Sequence, residues 1–329
     1  MISIYHNSTM REAKFGGTKT MNIVFMGTPD FSVNALKSLI EAGHNILAVV
    51  TQPDKKKGRG EKVMFTPVKE EALKHNLPVY QPEKVRDTEF IKILGEMPID
   101  VCVVIAFGQI LPKEILEMGT YGCINVHASL LPKYRGAAPI QWAVIDGEEY
   151  SGVTTMQMNE GLDTGDILEV TKVKLAEDET GGSLFDKLAD EGAKLIVKTL
   201  EDLEAGTITP VEQDDSKSNY AKMLKKDLGN LDFSKPAVQI ERLIRGLNPW
   251  PSAYTHIGGK TLKIWQAQVL EGTFDGENGE VIDIDKKGFT VKTGEGALRI
   301  LEVQLEGKKR MKSEQFLLGY KLEKGAVLQ

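Results

Sequence analysis

The sequence predicts an α/β chain: an N-terminal Rossmann-like, doubly wound, mostly parallel sheet, then a smaller C-terminal β-barrel of OB-like type. Three observations carry this. Short β-rich runs alternate with helical stretches from Met21 to about Ala205, which implies a parallel sheet with helices on both faces. The run Val101-Cys-Val-Val-Ile-Ala106 is apolar at every position, as a central strand buried on both faces must be. Beyond residue 226 a single helix is followed only by short strands separated by glycine turns, the pattern of a small closed barrel.

Taken in order, residues 1–20 lack sustained periodicity and the apolar core of a signal peptide. They are expected to form a disordered extension, with Met21 as the natural start. Strand-like runs follow at Ile23–Met26, Ile46–Thr51, Val101–Phe107, Cys123–His127 and Val153–Met158. Helical stretches lie between them at Phe31–Ala42, Val68–His75 and Ala137–Ile145. Leu184, Leu188, Leu195, Ile196, Leu200 and Leu203 form the apolar stripe of a longer helix over Ser183–Leu203, with Ser183 and Asp186 as its capping box and Gly206 as its stop. This bounds a catalytic domain at 21–206. Residues 207–226 are polar and read as a linker. The C-terminal domain, 227–329, opens with a helix capped by Ser234 and buried through Ile240, Leu243, Ile244 and Leu247. Asn248-Pro-Trp-Pro251 breaks the chain, and five short strands follow between Tyr254 and Val303.

Composition narrows the function classes. With 329 residues, 41% of them hydrophobic and 27% charged, the chain is globular and long enough for two domains at roughly 100–200 residues each. No apolar run approaches the ~18 residues of a membrane helix. Cys102 and Cys123 lack metal-site spacing and sit in apolar runs, so they read as buried, reduced thiols of a cytoplasmic protein. The net charge of −6 disfavours a nucleic-acid partner as a sum, but its distribution does not. Residues 226–329 carry 16 basic and 14 acidic side chains, a net of +2, and the rest of the chain −8. Three stretches are strongly basic: Lys55–Lys62, Lys217–Lys226 and Lys308–Lys312. Brought to one side, they would form a track for a phosphate backbone.

The first strand–helix junction, Met26-Gly-Thr-Pro-Asp-Phe31, holds one glycine where a dinucleotide fingerprint needs three. A tight turn is the better reading. The densest feature is Cys123-Ile-Asn-Val-His-Ala-Ser-Leu-Leu-Pro-Lys-Tyr-Arg-Gly136. Its polar residues emerge at the carboxyl end of a strand, where open α/β sheets bind ligands. Asn125 and His127 are two apart and share a face. An amide donor beside an imidazole suits a carbonyl that becomes an oxyanion. An acid partner lies in the turn-rich loop Asn159–Asp166; residue chemistry alone leaves Glu160, Asp163 and Asp166 open.

These segments together resemble the methionyl-tRNA formyltransferases, a 10-formyltetrahydrofolate-dependent family. The resemblance rests on Gly27-Thr-Pro-Asp-Phe31, Thr51-Gln-Pro-Asp54 with Gly58-Arg-Gly60, and Asn125-Val-His-Ala-Ser-Leu-Leu-Pro132. It continues through Tyr134–Gln141, Gly161-Leu-Asp-Thr-Gly-Asp166 and Asn248-Pro-Trp-Pro251. It implies Asn125, His127 and Asp163 as the catalytic set, and Ser129, Leu130, Leu131 and Pro132 as the lining of the folate site. It also implies that the 55–62 loop enters the acceptor arm of tRNA, with Arg59 as its key arginine. Lys57, Lys62, Lys225, Lys226, Lys308, Lys309 and Arg310 are further tRNA-binding candidates from the basic stretches.

The implied reaction transfers the formyl group of 10-formyltetrahydrofolate to the α-amine of initiator methionyl-tRNA. No metal is called for, and a monomer is the simplest reading. A sugar-nucleotide or glycinamide formyltransferase with the same folate block is the alternative. A nucleic-acid-binding module with a degenerate site is disfavoured by the intact Asn125, His127 and Asp163.

Overall fold

The computed structural model describes residues 20–57 and 62–329. The expectation for the leading segment therefore lies outside the described residues up to position 19, and so does Arg59. The N-terminal sheet has seven strands: β1 (Asn22–Gly27), β2 (Asn45–Val50), β3 (Val79–Tyr80), β4 (Val101–Ile105), β5 (Cys123–His127), β6 (Tyr150–Gln157) and β7 (Ile167–Lys174). Their spatial order is β3-β2-β1-β4-β5-β6-β7. The first five run parallel, and β6 and β7 are antiparallel additions at one edge. The connection reverses direction between β1 and β4, which opens a crevice at their carboxyl ends.

The apolar run of β4 does what its composition demands. Val101, Val103 and Ile105 enter the core beneath helices Val33–Glu41 and Gly181–Glu204. Cys102 and Val104 enter the opposite core, with Phe90, Leu94 and Ile115 from helices Thr88–Gly95 and Lys113–Leu116. Successive strand side chains point to opposite faces, so one strand feeds two layers. Both cysteines are fully buried and unpaired. Contact with Cys102, followed by burial, pushes the Cys123 thiol pKa well up. The long helix starts at Gly181 rather than Ser183. Its capping box is Thr180 with Ser183, because the Thr180 side chain accepts from the Ser183 amide and Ser183 Oγ accepts from the Thr180 amide.

The C-terminal unit contains helix Ala237–Gly246, β8 (Ala253–Ile257), β9 (Lys260–Leu270), β10 (Val281–Asp285), β11 (Gly288–Lys292), β12 (Ala297–Leu305) and the short β13 (Met311–Lys312). Pro236, not Ser234, takes the N-cap position of its helix. The sheet runs β8-β9-β12-β11-β10, with β13 added on β12. All pairs are antiparallel. The expected closed barrel is corrected here: among the described residues no ladder joins β8 to β10. The C-terminal tail spans that gap instead. Val281 N donates to Ala326 O and Leu328 N to Gly279 O on one side, while His256 N donates to Gln329 O on the other. Leu328 is buried in the core beneath. A helix missed from sequence, Ser313–Gly319, sends Phe316 into the same core.

The two units share a tight contact. Helix Ala237–Gly246 packs against helix Pro139–Ile145, and a Cβ on Gly246 would stand 2.4 Å from Ile145 Cγ1. Arg245 Nη1 donates to Glu179 O at 2.8 Å.

The 207–226 segment is no free tether. Val211 exchanges backbone hydrogen bonds with Ile167. Tyr220 and Ala221 form a short parallel ladder with Arg135 and Gly136. Trp142 Nε1 donates to Lys222 O. Gln213, Asp215 and Asn219 bond partners in the N-terminal unit, which composition alone could not reveal.

Candidate active site

The crevice at the sheet switch point holds a cavity of about 660 Å³. Val104, Ala106 and Phe107 approach from the end of β4, Asn125 and His127 from β5, and Met156 and Asp163 from β6 and the loop after it. The walls are mostly apolar, with polar groups from several elements, among them Gln109, Asn125, His127, Asn159 and Asp163. Such a site suits a flat organic ligand held by a few placed donors and acceptors. The loops above β1, β2 and β4 are tied together: Thr28 Oγ1 and Gln52 Nε2 both donate to Phe107 O.

Asn125 Nδ2 donates to Val104 O at 3.1 Å, while Asn125 Oδ1 is buried with no partner among the described residues. A buried, unpaired amide oxygen costs stability unless something meets it. Asn125 lines the cavity, but this oxygen has no exposed surface there.

His127 is 7% exposed. Its Nε2 lies 2.9 Å from Tyr134 O. A carbonyl only accepts, so Nε2 carries the proton and the lone pair of a neutral ring is at Nδ1. That Nδ1 stands 3.7 Å from Asp163 Oδ2. Asp163 Oδ2 in turn accepts from Gly136 N at 2.8 Å. Both Tyr134 and Asp163 have left-handed backbones, φ +60° and +53°. Such conformations cost roughly 1–3 kcal/mol each and persist only where the surroundings hold them.

The structure thus brings Asn125, His127 and Asp163 to one cavity and selects Asp163 from the three candidate acids by its contact with His127. The segment Ser129–Pro132 is a different matter, because none of its residues lines this cavity. Ser129 is buried, and its Oγ donates to Lys133 O. Thr154 Oγ1 donates to Ser129 O and accepts from Leu131 N. Leu130 instead lines a smaller, separate hollow with Lys133 and Tyr150. These bonds brace the turn that follows His127.

Of the basic candidates, Lys225, Lys226, Lys308, Lys309 and Arg310 are exposed. Arg310 is committed: it bonds Glu302 Oε2 at 2.5 Å and lies over the Trp265 ring. Lys57 and Lys62 pair in register across a short antiparallel hairpin of Lys55–Lys57 and Lys62–Met64. Sequence reasoning missed the contributions of Gln213, Asn219 and Tyr220, all from the segment read as a linker.

Comparison with known proteins bears on the family. The formyl transferase family matches residues 21–200, and the formyl transferase C-terminal domain matches residues 223–321. Methionyl-tRNA formyltransferase of Lachnospira eligens is 62% identical over 313 residues, covering 94% of this chain and 99% of that protein. The same-named protein of Agathobacter rectalis is 58% identical, over 93% of this chain and 99% of that protein. Among solved structures, an N-formyltransferase from Helicobacter canadensis, in complex with folinic acid and dTDP-3-aminofucose, superposes with a TM-score of 0.65. It is 17% identical, over 89% of this chain and all of that one. HypX from Aquifex aeolicus with tetrahydrofolic acid gives 0.60 at 18% identity, over 92% of this chain and 47% of that one. At that distance the structural likeness speaks for the fold, and the close relatives speak for the family. The chain belongs to the methionyl-tRNA formyltransferase family.

Proposed function

We propose that this chain transfers the formyl group of 10-formyltetrahydrofolate to the α-amino group of initiator methionyl-tRNA. The observation that carries the chemistry is the pair of acceptors, His127 Nδ1 and Asp163 Oδ2, facing one apolar-walled cavity with the Asn125 amide beside them. An incoming α-ammonium must lose one proton to become a nucleophile, and a second once it has bonded the formyl carbon. Its pKa is near ~7.7–8.0, so little driving force is needed close to neutral pH. His127 Nδ1 accepts a proton as the amine bonds the formyl carbon, and Asp163 holds the resulting imidazolium. The tetrahedral intermediate then collapses, the bond from the formyl carbon to folate N10 breaks, and the proton goes to N10 so that tetrahydrofolate leaves. The second N–H of Asn125 Nδ2 is left over after its bond to Val104 and serves an oxygen that gains negative charge.

The folate is a cosubstrate and supplies the formyl carbon. The cavity fits it: Val104, Phe107, Leu111, Met156 and Met158 offer an apolar slot, with Gln109 and Asn159 among its polar lining. Ser129, Leu130, Leu131 and Pro132, on the turn that follows His127, are the further residues proposed to meet the folate. Among the described residues no helix is long and apolar enough to cross a membrane, and no cluster of three His, Cys, Asp or Glu residues could hold a metal ion. We read the enzyme as a cytoplasmic monomer with a catalytic domain at 21–206, a linker at 207–226 and a tRNA-binding domain at 227–329. Arg59, Lys57, Lys62, Lys225, Lys226, Lys308, Lys309 and Arg310 are the residues proposed to meet tRNA phosphates.

The test is direct. Purified protein is incubated with 10-formyltetrahydrofolate and aminoacylated initiator tRNA, and formylmethionine is measured with and without prior RNase. Product that RNase abolishes is expected. No product, or equal formylation of a small sugar-nucleotide amine after RNase, overturns the reading.

A further inference from the structure

The His127–Asp163 pair is held from outside the domain that carries it. Tyr134, whose carbonyl accepts from His127 Nε2, keeps a left-handed backbone. Its amide donates to Asn219 Oδ1, and the next amide, Arg135 N, donates to Asn219 O at 3.1 Å. On the other side, Gln213 Nε2 donates to Asp163 O at 2.9 Å and Gly165 O at 2.7 Å. Gln213 Oε1 accepts from Arg135 Nε at 3.1 Å and Nη2 at 2.8 Å, with both side chains buried. The strip also runs too close for a side chain at position 136, where a Cβ would meet the Tyr220 ring at 2.4 Å.

Resting on the formyl-transfer reading above, we propose that Gln213 and Asn219 are positioning residues. Asn219 fixes the Tyr134 carbonyl and thereby the tautomer of His127, and Gln213 fixes the backbone of Asp163. Neither touches the cavity wall that Asn125 and His127 form. Their shared strip sets where the two acceptors stand, which a pair of residues in left-handed conformations could not hold alone. Catalytic geometry of this kind is sensitive to displacements near 1 Å.

The test uses the full-length chain. Asn219→Ala removes the acceptor for Tyr134 N, Asn219→Asp keeps an oxygen there, and Gln213→Glu keeps the acceptor for Arg135 while removing the donors to Asp163 O and Gly165 O. Asn219 is exposed, so its variants are expected to fold. For Asn219→Ala and Gln213→Glu, kcat should fall about 10- to 100-fold with both KM values within about twofold of wild type, and Asn219→Asp should restore most of it. The second readout is ¹⁵N NMR of labelled histidine at neutral pH without substrate. The wild type should show His127 protonated at Nε2 alone, and Asn219→Ala a mixture of tautomers.

Wild-type kcat and spectrum in Asn219→Ala would overturn the proposal. So would equal losses in Asn219→Ala and Asn219→Asp, since the retained acceptor would then count for nothing. The spectrum needs no substrate. A wild-type enzyme that formylates no tRNA therefore defeats the functional reading without deciding this one.

Discussion

His127 and Asp163 meet with two acceptors face to face, Nδ1 and Oδ2 at 3.7 Å, because Tyr134 O claims the only proton of a neutral imidazole. Such a gap waits for a proton rather than closing on its own. It follows that His127→Ala should lower kcat by about 10²–10⁴-fold, the usual span for a removed general base. Asp163→Asn should also lower kcat, because an amide keeps an acceptor for Gly136 N but cannot stabilise the imidazolium. Steady-state kinetics with both substrates varied would show the loss in kcat. A change confined to either KM would place these residues in binding instead.

Asn125→Ala tests the donor beside this pair. Losing one such donor costs about 2.7–4 kcal/mol of transition-state stabilisation, or ~10²–10³ in kcat. The substitution removes the unpaired Oδ1 but also the bond to Val104 O, two effects on stability of opposite sign. Thermal melting beside the kinetics separates stability from chemistry: a large loss of kcat with only a small change in Tm is expected.

Much of this site is legible in the sequence because it is local. Asn125 and His127 share a strand and its face, and the all-apolar β4 declares its place between two cores. Asp163 is legible only as one of three acids, since its selection depends on a fold-level contact. Gln213 and Asn219 are not legible at all. They sit in a polar stretch with no period, and their partners are 48 to 85 residues away. The barrel was over-read for a related reason. Strand patterns show how many strands there are, but the gap between β8 and β10 is filled by tail residues Gly325–Gln329, which carry no strand pattern.

Acid sensitivity is expected at the contact between the units. Glu179 is buried at 2% exposure. Burial alone would raise its pKa, but Lys187 at 2.5 Å, Ser183 Oγ and the Ala176 amide together hold it below the usual 4.5. A depressed folded-state pKa contributes stability above the unfolded value and loses it as pH falls through the folded one. Melting temperature should therefore hold above about pH 4.5 and decline below it. Glu179→Gln should lower Tm at neutral pH and flatten that acid limb. An identical acid limb in the variant would show that other carboxylates, such as Glu71 beside Lys74 and His75, carry it.

The basic residues of the C-terminal unit differ in what they have left to give. Lys308 and Lys309 are exposed, and no ion pair forms at either among the described residues, whereas Arg310 already faces Glu302 and covers Trp265. Each phosphate neutralised releases counterions, so removing a true phosphate contact lowers the salt slope of tRNA binding by about one. Lys308→Ala with Lys309→Ala should thus reduce the slope by up to about two and weaken binding in low salt. Arg310→Ala should change the slope less and cost stability through the exposed Trp265 face. Titrations of initiator tRNA at several salt concentrations decide this. A slope unchanged by the double lysine variant would remove this end of the track from the tRNA path and leave Lys225 and Lys226, next to the strip that holds the active site, as its anchor.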